Sequence, residues 1–436
     1  MLLLPPSNFN MTILLLGSGG REHAFAWKIS QSTHCSKLFI APGNPGTSAH
    51  GENINIEVND FESLKTFCLK EDVKMIVVGP EDPLVNGIFD FFANDDLLKQ
   101  IRVIGPSMKG AQLEGSKAFA KEFMIKYGIP TASYKEFYAG NFDEGVSYLN
   151  AHSLPIVLKA DGLAAGKGVV IAQTHEEAIS EFANMIQHNK FGKAGSKVVV
   201  EEFLTGIECS VFVLTNGKDY MLLPVAKDYK RIGEGDKGLN TGGMGAISPV
   251  PFADEIFMKK VKDRIITPTM NGIQKEGFSY CGFVFIGLIS VDNEPFVIEY
   301  NCRMGDPETE TVLPRIENDL VELFMKLYDG GLGETECEQS PLAAATIMLV
   351  SKGYPGDYEK GIEIKNSENL DGSMVFHAGT KLSDGRLQTN GGRVIAVTSL
   401  GETPAEALLL SIINAAYIHF EGKYYRTDIG WEFIQK

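Results

Sequence analysis

Glu299 and Asn301 stand two apart in Phe296-Val-Ile-Glu-Tyr-Asn, a run that follows the turn Asp292-Asn-Glu-Pro and reads as a strand. Alternation along a strand sends both side chains out of one face. A carboxylate and an amide oxygen aimed together suit a hard divalent cation, which fills its other positions with water and phosphate oxygens. A solvated acidic strand end is the competing reading. Two residues further on, Arg303 adds a fixed planar fork of donors that matches a phosphate or a carboxylate.

A second stretch, KADGLAAGKGVV from Lys159, is rich in glycine and carries two lysines. A Walker loop requires G-x-x-x-x-G-K-[ST] and a helix running on from it. Here Gly162 and Gly166 enclose only three residues, Lys167 is followed by Gly168 where a hydroxyl should stand, and both flanks, Pro155-Ile-Val-Leu and Val169-Val-Ile-Ala, read as short strands. Such a hairpin tip either folds flat over a triphosphate, its glycine amides free to donate, or is an ordinary turn.

Between these segments a strand halts at Glu201-Glu202 and restarts at Cys209. Its backbone groups can meet an adenine edge, and Glu208 can accept from ribose hydroxyls; either carboxylate can equally be a surface residue. Then come the basic cluster Lys227-Asp-Tyr-Lys-Arg and a second glycine loop, Asn240-Thr-Gly-Gly-Met-Gly, able to close over an anion, with Lys117 as a third separated cation. Each long charged side chain is, taken alone, more often solvated than functional. A glycine loop with lysines, a Glu/Asn metal pair and an arginine are together the parts that phosphoryl transfer needs. The eight histidines show no spacing that suggests a Ser-His-Asp arrangement.

The elements that must hold these groups read as α/β. Thr12-Ile-Leu-Leu-Leu is a buried strand, followed by the turn Gly17-Ser-Gly-Gly-Arg-Glu-His and a helix from Ala24 to Ser30, which together make a general anion site. Glu22 stands where a dinucleotide fingerprint would place its third glycine, which weakens a nicotinamide reading. Strands at Lys37 to Ile40, Met75 to Val78 and Val103-Ile each end in a Gly/Pro turn, a pattern that predicts a parallel sheet with ligands at the carboxyl ends of its strands. We divide the chain into an N-terminal parallel α/β substrate domain over 1–113, a second domain over 114–331 rich in hairpins, and a C-terminal domain over 332–436. The last is expected to hold strands at Ala343 to Ser351, Val375 to Lys381 and Gly391 to Thr398 and a helix near Pro404 to His419. It offers no obvious chemistry, and a β turn explains Gly391-Gly-Arg.

A length of 436 residues allows about three domains. The formal charge of −16 repels nucleic acid. Six cysteines scattered without a C-x-x-C pair suit free thiols in a reducing compartment and give no support to a zinc site. MLLLPPSNFN lacks a basic flank and is cut by Pro5-Pro6, so it fails as a signal peptide, and Met11 is the expected start of the fold. No apolar run reaches the roughly 18 residues of a membrane span, so the expected location is the cytoplasm.

The ordered stretches LLLGSGGREHAFAWK, APGNPGT, VVGPEDPLV, QLEGSKAF, KADGLAAGKGV, EEFLTGIE, DYKR, NTGGMGA, EYNCRMGDPET, KGYPGDY and NGGRV resemble the phosphoribosylamine–glycine ligase (glycinamide ribonucleotide synthetase) family of ATP-grasp enzymes, from Met11 to the end. The resemblance implies an ATP-grasp fold with a biotin-carboxylase-N-like N-terminal domain, a lid subdomain at about 135–203 and a small C-terminal α+β domain. It implies ATP and Mg2+, with Mn2+ as the alternative, and a ligation of glycine to 5-phosphoribosylamine through glycyl phosphate. Lys117 and Lys159 would contact ATP phosphates beneath the hairpin of Gly162, Gly166, Lys167 and Gly168, Glu201, Glu202 and Leu204 would lie at the adenine, Glu208 would bind ribose, and Glu299 and Asn301 would ligate the metal. Gly19, Gly20, Arg21 and Glu81, with Thr241, Gly242, Gly243 and Asp306, would hold substrate, and Asp228, Arg231 and Arg303 would position glycine or the transferred phosphoryl group. Asp82, Leu239, Met304 and the ten leading residues depart from the family pattern, and the end at Lys436 leaves no room for fused downstream enzymes, so the expected state is a monomer acting on small molecules alone. Two readings compete: an ATP-grasp ligase that takes bicarbonate or formate, and a nucleotide sensor without catalysis.

Overall fold

A computed structural model of the chain describes residues 10–434 apart from 164–167, 189, 191 and 369. The strand Met11–Gly17 lies between Cys35–Pro42 and Met75–Val78, and Arg102–Pro106 follows, all parallel. Ile13, Leu14, Leu15 and Leu16 have no exposure at all, as expected of a strand covered on both faces by crossover helices.

This sheet does not stop at the expected domain boundary. Arg102–Pro106 pairs antiparallel with the root of the long strand Tyr280–Val291, which also carries Ile207–Thr215 on one side and Glu294–Asn301 on the other. Nine strands therefore form one twisted surface running from the N-terminal part into the centre of the molecule. The join is tight at Gly282, where a β-carbon would sit 3.0 Å from the Gly105 nitrogen and would press the two strands apart slightly. The hairpin Tyr280–Asn301 is thus fixed against the carboxyl ends of the parallel strands, where their turns gather.

A four-stranded antiparallel sheet, Tyr134–Tyr138, Lys197–Glu202, Ile156–Ala160 and Val169–Ala172, stands over this surface. It carries the helices Phe142–Ala151 and His175–Ile186 and has its own core, built on Phe137, Leu158, Phe182 and Val200. Separate cores are what allow two bodies to enclose a ligand between them.

The last sheet crosses the other expected boundary. Ala343–Val350, Arg393–Gly401 and Ser373–His377 pair with Gly245–Ser248 and, through it, Lys227–Asp228, so the basic cluster is mounted on an edge of the C-terminal sheet. The helix Pro404–Tyr417 packs on this sheet. The expected strand Val375 to Lys381 is divided at Ala378-Gly379, and Thr380–Ser383 turns away to pair with Arg386–Thr389. No helix among the described residues is long and apolar enough to cross a membrane.

Candidate active site

The lid, the central hairpin and the C-terminal sheet enclose a cavity of about 370 Å³. Its walls include Gly162 and Gly168, the described ends of the glycine loop, and, on the central sheet, Glu299, Asn301 and Arg303. The two segments with the clearest chemistry, about 130 residues apart in the chain, therefore face one space. Gly166 and Lys167 lie outside the described residues.

Glu299 and Asn301 occupy one face of Glu294–Asn301, as their spacing requires. Burial works against charge on Glu299, but Lys117, Lys230, Lys159 and Arg303 outweigh it and hold the carboxyl below its ordinary range. It is an ionised carboxylate in a positive surround. Among the described residues no group of three or more His, Cys, Asp and Glu could hold a metal ion, so a cation here would draw on these two protein oxygens and on the oxygens of a phosphate ligand and water, the pattern that suits Mg2+.

Lys117 opens the helix Lys117–Lys126 and lines the cavity. The head of the glycine loop is fastened to that helix: Ser116 Oγ and the Ala118 N–H both donate to Asp161 Oδ1, at 2.9 and 3.1 Å. Lys159, buried on the lid, pairs with Glu201 at 2.9 Å and donates to the Ile298 carbonyl at 3.2 Å. Glu201 is also paired with buried Lys121 at 3.1 Å, and its Oε1 is buried without a hydrogen-bond partner. Glu202 and Leu204 follow on the connection to the central sheet, where Glu202 Oε1 accepts the Ser133 N–H at 2.7 Å. Glu208 accepts from Lys230 at 3.1 Å, and Lys230 holds its carboxyl below the usual range.

Arg303 lies between two carboxylates, with Nη2 2.7 Å from Glu114 Oε1 and Nε 3.4 Å from Glu81 Oε2. Glu114 accepts the Cys302 N–H at 2.9 Å through its other oxygen. Arg21 approaches Glu81 from the far side at 3.9 Å and donates to the Met304 carbonyl at 3.0 Å. Arg21, Glu81 and Arg303 thus form one chain of alternating charge along the floor.

In four places the structure shows contacts that spacing alone did not. At the first helix the chain supplies its own acceptor: Glu22 Oε2 accepts the Gly19 N–H at 2.6 Å and Oε1 accepts from Arg21 Nε at 2.8 Å. The residue that spoils the dinucleotide fingerprint is the cap. Gly19 and Gly20 serve close packing, since a β-carbon on Gly20 would sit 2.3 Å from Glu310 Oε1. Arg231 is not among the residues lining the cavity, because its guanidinium donates to the Gly238 carbonyl at 2.9 Å, and Lys230 faces the cavity in its place beside Asp228, 3.4 Å away. Of the second glycine loop, Thr241 and Gly242 line the cavity, but the Gly242 N–H donates to the Tyr354 hydroxyl, and Gly243, at φ +120°, has no room for a β-carbon beside Pro307. Finally, the C-terminal part is not chemically silent. Arg393 donates to the carbonyls of Gly242 and Asp306, both at 2.6 Å, reaches Asp306 Oδ1 at 3.0 Å, and lines the cavity.

Sequence reasoning also passed over Glu308, whose carboxyl accepts from Ser210 Oγ at 3.1 Å inside the cavity wall. Burial, with Asp228 adding to it and Lys230 opposing, pushes it up to about 7 from an ordinary 4.5. The native carboxyl then keeps a proton that the unfolded chain has released, so its contribution to stability falls as pH rises through that window. Glu308→Gln should flatten this dependence: urea unfolding measured on either side of the window should differ less in the variant than in the parent protein. An equal difference in both would contradict the raised value.

Known proteins resemble this chain along almost its whole length. The N domain, the ATP-grasp (A) domain and the C domain of phosphoribosylglycinamide synthetase match residues 11–114, 115–309 and 344–432. A phosphoribosylamine–glycine ligase of Pasteurella multocida is 45% identical over 430 residues, 98% of this chain and 99% of the relative, and one of Haemophilus influenzae is 44% identical over 431. The crystal structure of phosphoribosylamine–glycine ligase from Thermotoga maritima superposes with a TM-score of 0.84 at 37% identity, covering 96% of this chain and all of that one. A biotin carboxylase domain of 2-oxoglutarate carboxylase from Hydrogenobacter thermophilus, at 15% identity over 95% of this chain and 92% of that one, shares the fold with a TM-score of 0.72.

Proposed function

The chain belongs to the phosphoribosylglycinamide synthetase family and carries out the ATP-dependent ligation of glycine to 5-phosphoribosylamine in purine biosynthesis, and from that premise we propose how its residues divide the work. The adenine lies at the lid root against Glu201, Glu202 and Leu204, with Glu208 at the ribose. The triphosphate extends toward Lys117 and Lys159 beneath the glycine loop. Glu299 and Asn301 would hold Mg2+, or Mn2+ as the alternative, which when bound would supply charge neutralisation at the phosphate oxygens.

Glycine enters between Asp228, Lys230 and Arg303, and its carboxylate oxygen attacks the γ-phosphorus while ADP departs, leaving glycyl phosphate. The amine of phosphoribosylamine, held toward Arg21 and Glu81, then attacks the acyl carbon and expels phosphate. Arg303 carries the charge that builds on the transferred group, and the alternating row Arg21, Glu81, Arg303 keeps it from swinging away. The acyl phosphate survives only if water is excluded, which assigns the lid sheet its task.

The observation that supports the phosphate and substrate end of this division is the shared cavity, which Gly162 and Gly168 line together with Glu299 and Asn301. The test is ADP release with glycine, freshly prepared phosphoribosylamine and Mg2+. Release is expected only when both substrates are present, and bicarbonate or formate in place of glycine should give none. Release no higher than with either substrate alone would overturn the reading.

A further inference from the structure

The ligation as described leaves Lys121 without a role. It lies on the second turn of the helix Lys117–Lys126 with its side chain 2% exposed, a place lysine takes only when its ammonium is paired. Nζ donates to Thr131 Oγ1 at 2.8 Å and to the Ala132 carbonyl at 3.2 Å, and reaches Glu201 Oε2 at 3.1 Å. That uses its three N–H bonds. Burial lowers its pKa to about 8, with Glu201 opposing, so the group is cationic at neutral pH.

Lys159 meets the same oxygen, Oε2, at 2.9 Å. Two ammonium groups therefore converge on one oxygen of Glu201 while Oε1, equally buried, has no hydrogen-bond partner. An unpaired carboxylate oxygen in the interior is costly. The two cations come from different bodies. Lys159 shares the lid sheet with Glu201, whereas Lys121 belongs to the central body, and its partner Thr131 donates onward to the Val297 carbonyl at 2.7 Å, on the strand that carries Glu299 and Asn301. Lys121 thus fixes the Glu201 carboxylate relative to the metal strand rather than to the lid alone.

We infer that Lys121 is a positioning residue for nucleotide selection: together with Lys159 it holds Glu201 by one oxygen, so that the other offers a lone acceptor to the exocyclic amine of a 6-aminopurine and repels the carbonyl of a 6-oxopurine. This rests on, and deepens, the placement of adenine proposed above. Lysine-to-methionine replacement keeps the volume but frees the carboxylate to turn its second oxygen toward Lys159.

The experiment compares kcat/KM for ATP and inosine triphosphate at saturating glycine and phosphoribosylamine. The parent enzyme should prefer ATP by about 10³-fold or more, as sites built around one buried hydrogen bond do. Lys121→Met should reduce that preference about tenfold, mainly through a higher KM for ATP. Thr131→Val, which removes one acceptor from Lys121 but leaves its charge, should move the ratio the same way by a smaller factor, and it serves if the methionine variant does not fold. Glu201→Gln should abolish the preference. If it does not, the adenine placement itself is wrong. If Glu201→Gln abolishes the preference while Lys121→Met and Thr131→Val leave it intact, or lower both nucleotides equally, Lys121 has no part in selection.

Discussion

Glu299→Gln should lower kcat/KM with saturating Mg2+ by about 10³-fold, the scale seen when one charge-stabilising group is removed from a reacting site, and should barely change stability. The asymmetry comes from how the carboxylate is held. Four cations, Lys117, Lys230, Lys159 and Arg303, keep it ionised despite burial, yet none of them closes to an ion pair with it among the described residues; the short contacts of Lys159, Lys230 and Arg303 go elsewhere, to Glu201, Glu208, Asp228 and Glu114. Its removal therefore breaks no packed pair, and an unfolding free energy within about 1 kcal/mol of the parent is expected, as for charges that interact only through a partly solvated field. Turnover should instead lose its dependence on metal concentration. A variant that keeps parental activity, or one that loses activity only because it unfolds in urea far earlier than the parent, would remove Glu299 from the metal site.

What the sequence shows of this site is what its local periodicity encodes. Glu299 and Asn301 share a face because any strand gives residues two apart the same face, and the strand flanks of KADGLAAGKGVV exclude a Walker loop before any coordinates are known. What the sequence hides depends on which surface a neighbouring element presents. Lys230 and Arg231 are adjacent, and only one of them faces the cavity; a shift of one residue in the register would exchange them, and no composition signal sets that register. Lys117 and Lys121 are one turn apart on a helix, one lining the cavity and one buried beneath the lid root. Arg393 enters the cavity only because Ala343–Val350 pairs with Gly245–Ser248 on one edge and with its own strand on the other, a contact between segments about 100 residues apart. The domain edges blur for the same reason, since both larger sheets recruit strands from two sequence regions.

Arg303→Ala should cost both activity and fold, and the two losses can be separated. Glu114 is buried, and Arg303 Nη2 at 2.7 Å is its ion-pair partner; removing one member of a buried pair costs about 3–5 kcal/mol, because the other charge remains without a counterion. Burial already raises the Glu114 carboxyl, with Arg303 opposing, so the variant should raise it further. The sign follows: the native variant keeps a proton that the unfolded chain gives up, and the deficit relative to the parent widens as pH rises above the ordinary carboxyl range of 4.5. Glu114→Gln placed on top of Arg303→Ala removes the stranded charge, and most of the lost stability should return. Activity should not, because Arg303 lines the cavity and brings the charge that the transferred group requires, and its loss should lower kcat by about 10³-fold. Arg303→Lys, which keeps the charge but not the planar fork, should restore stability more than rate. If the double variant regains rate along with stability, Arg303 is a strut for Glu114 and takes no part in the chemistry.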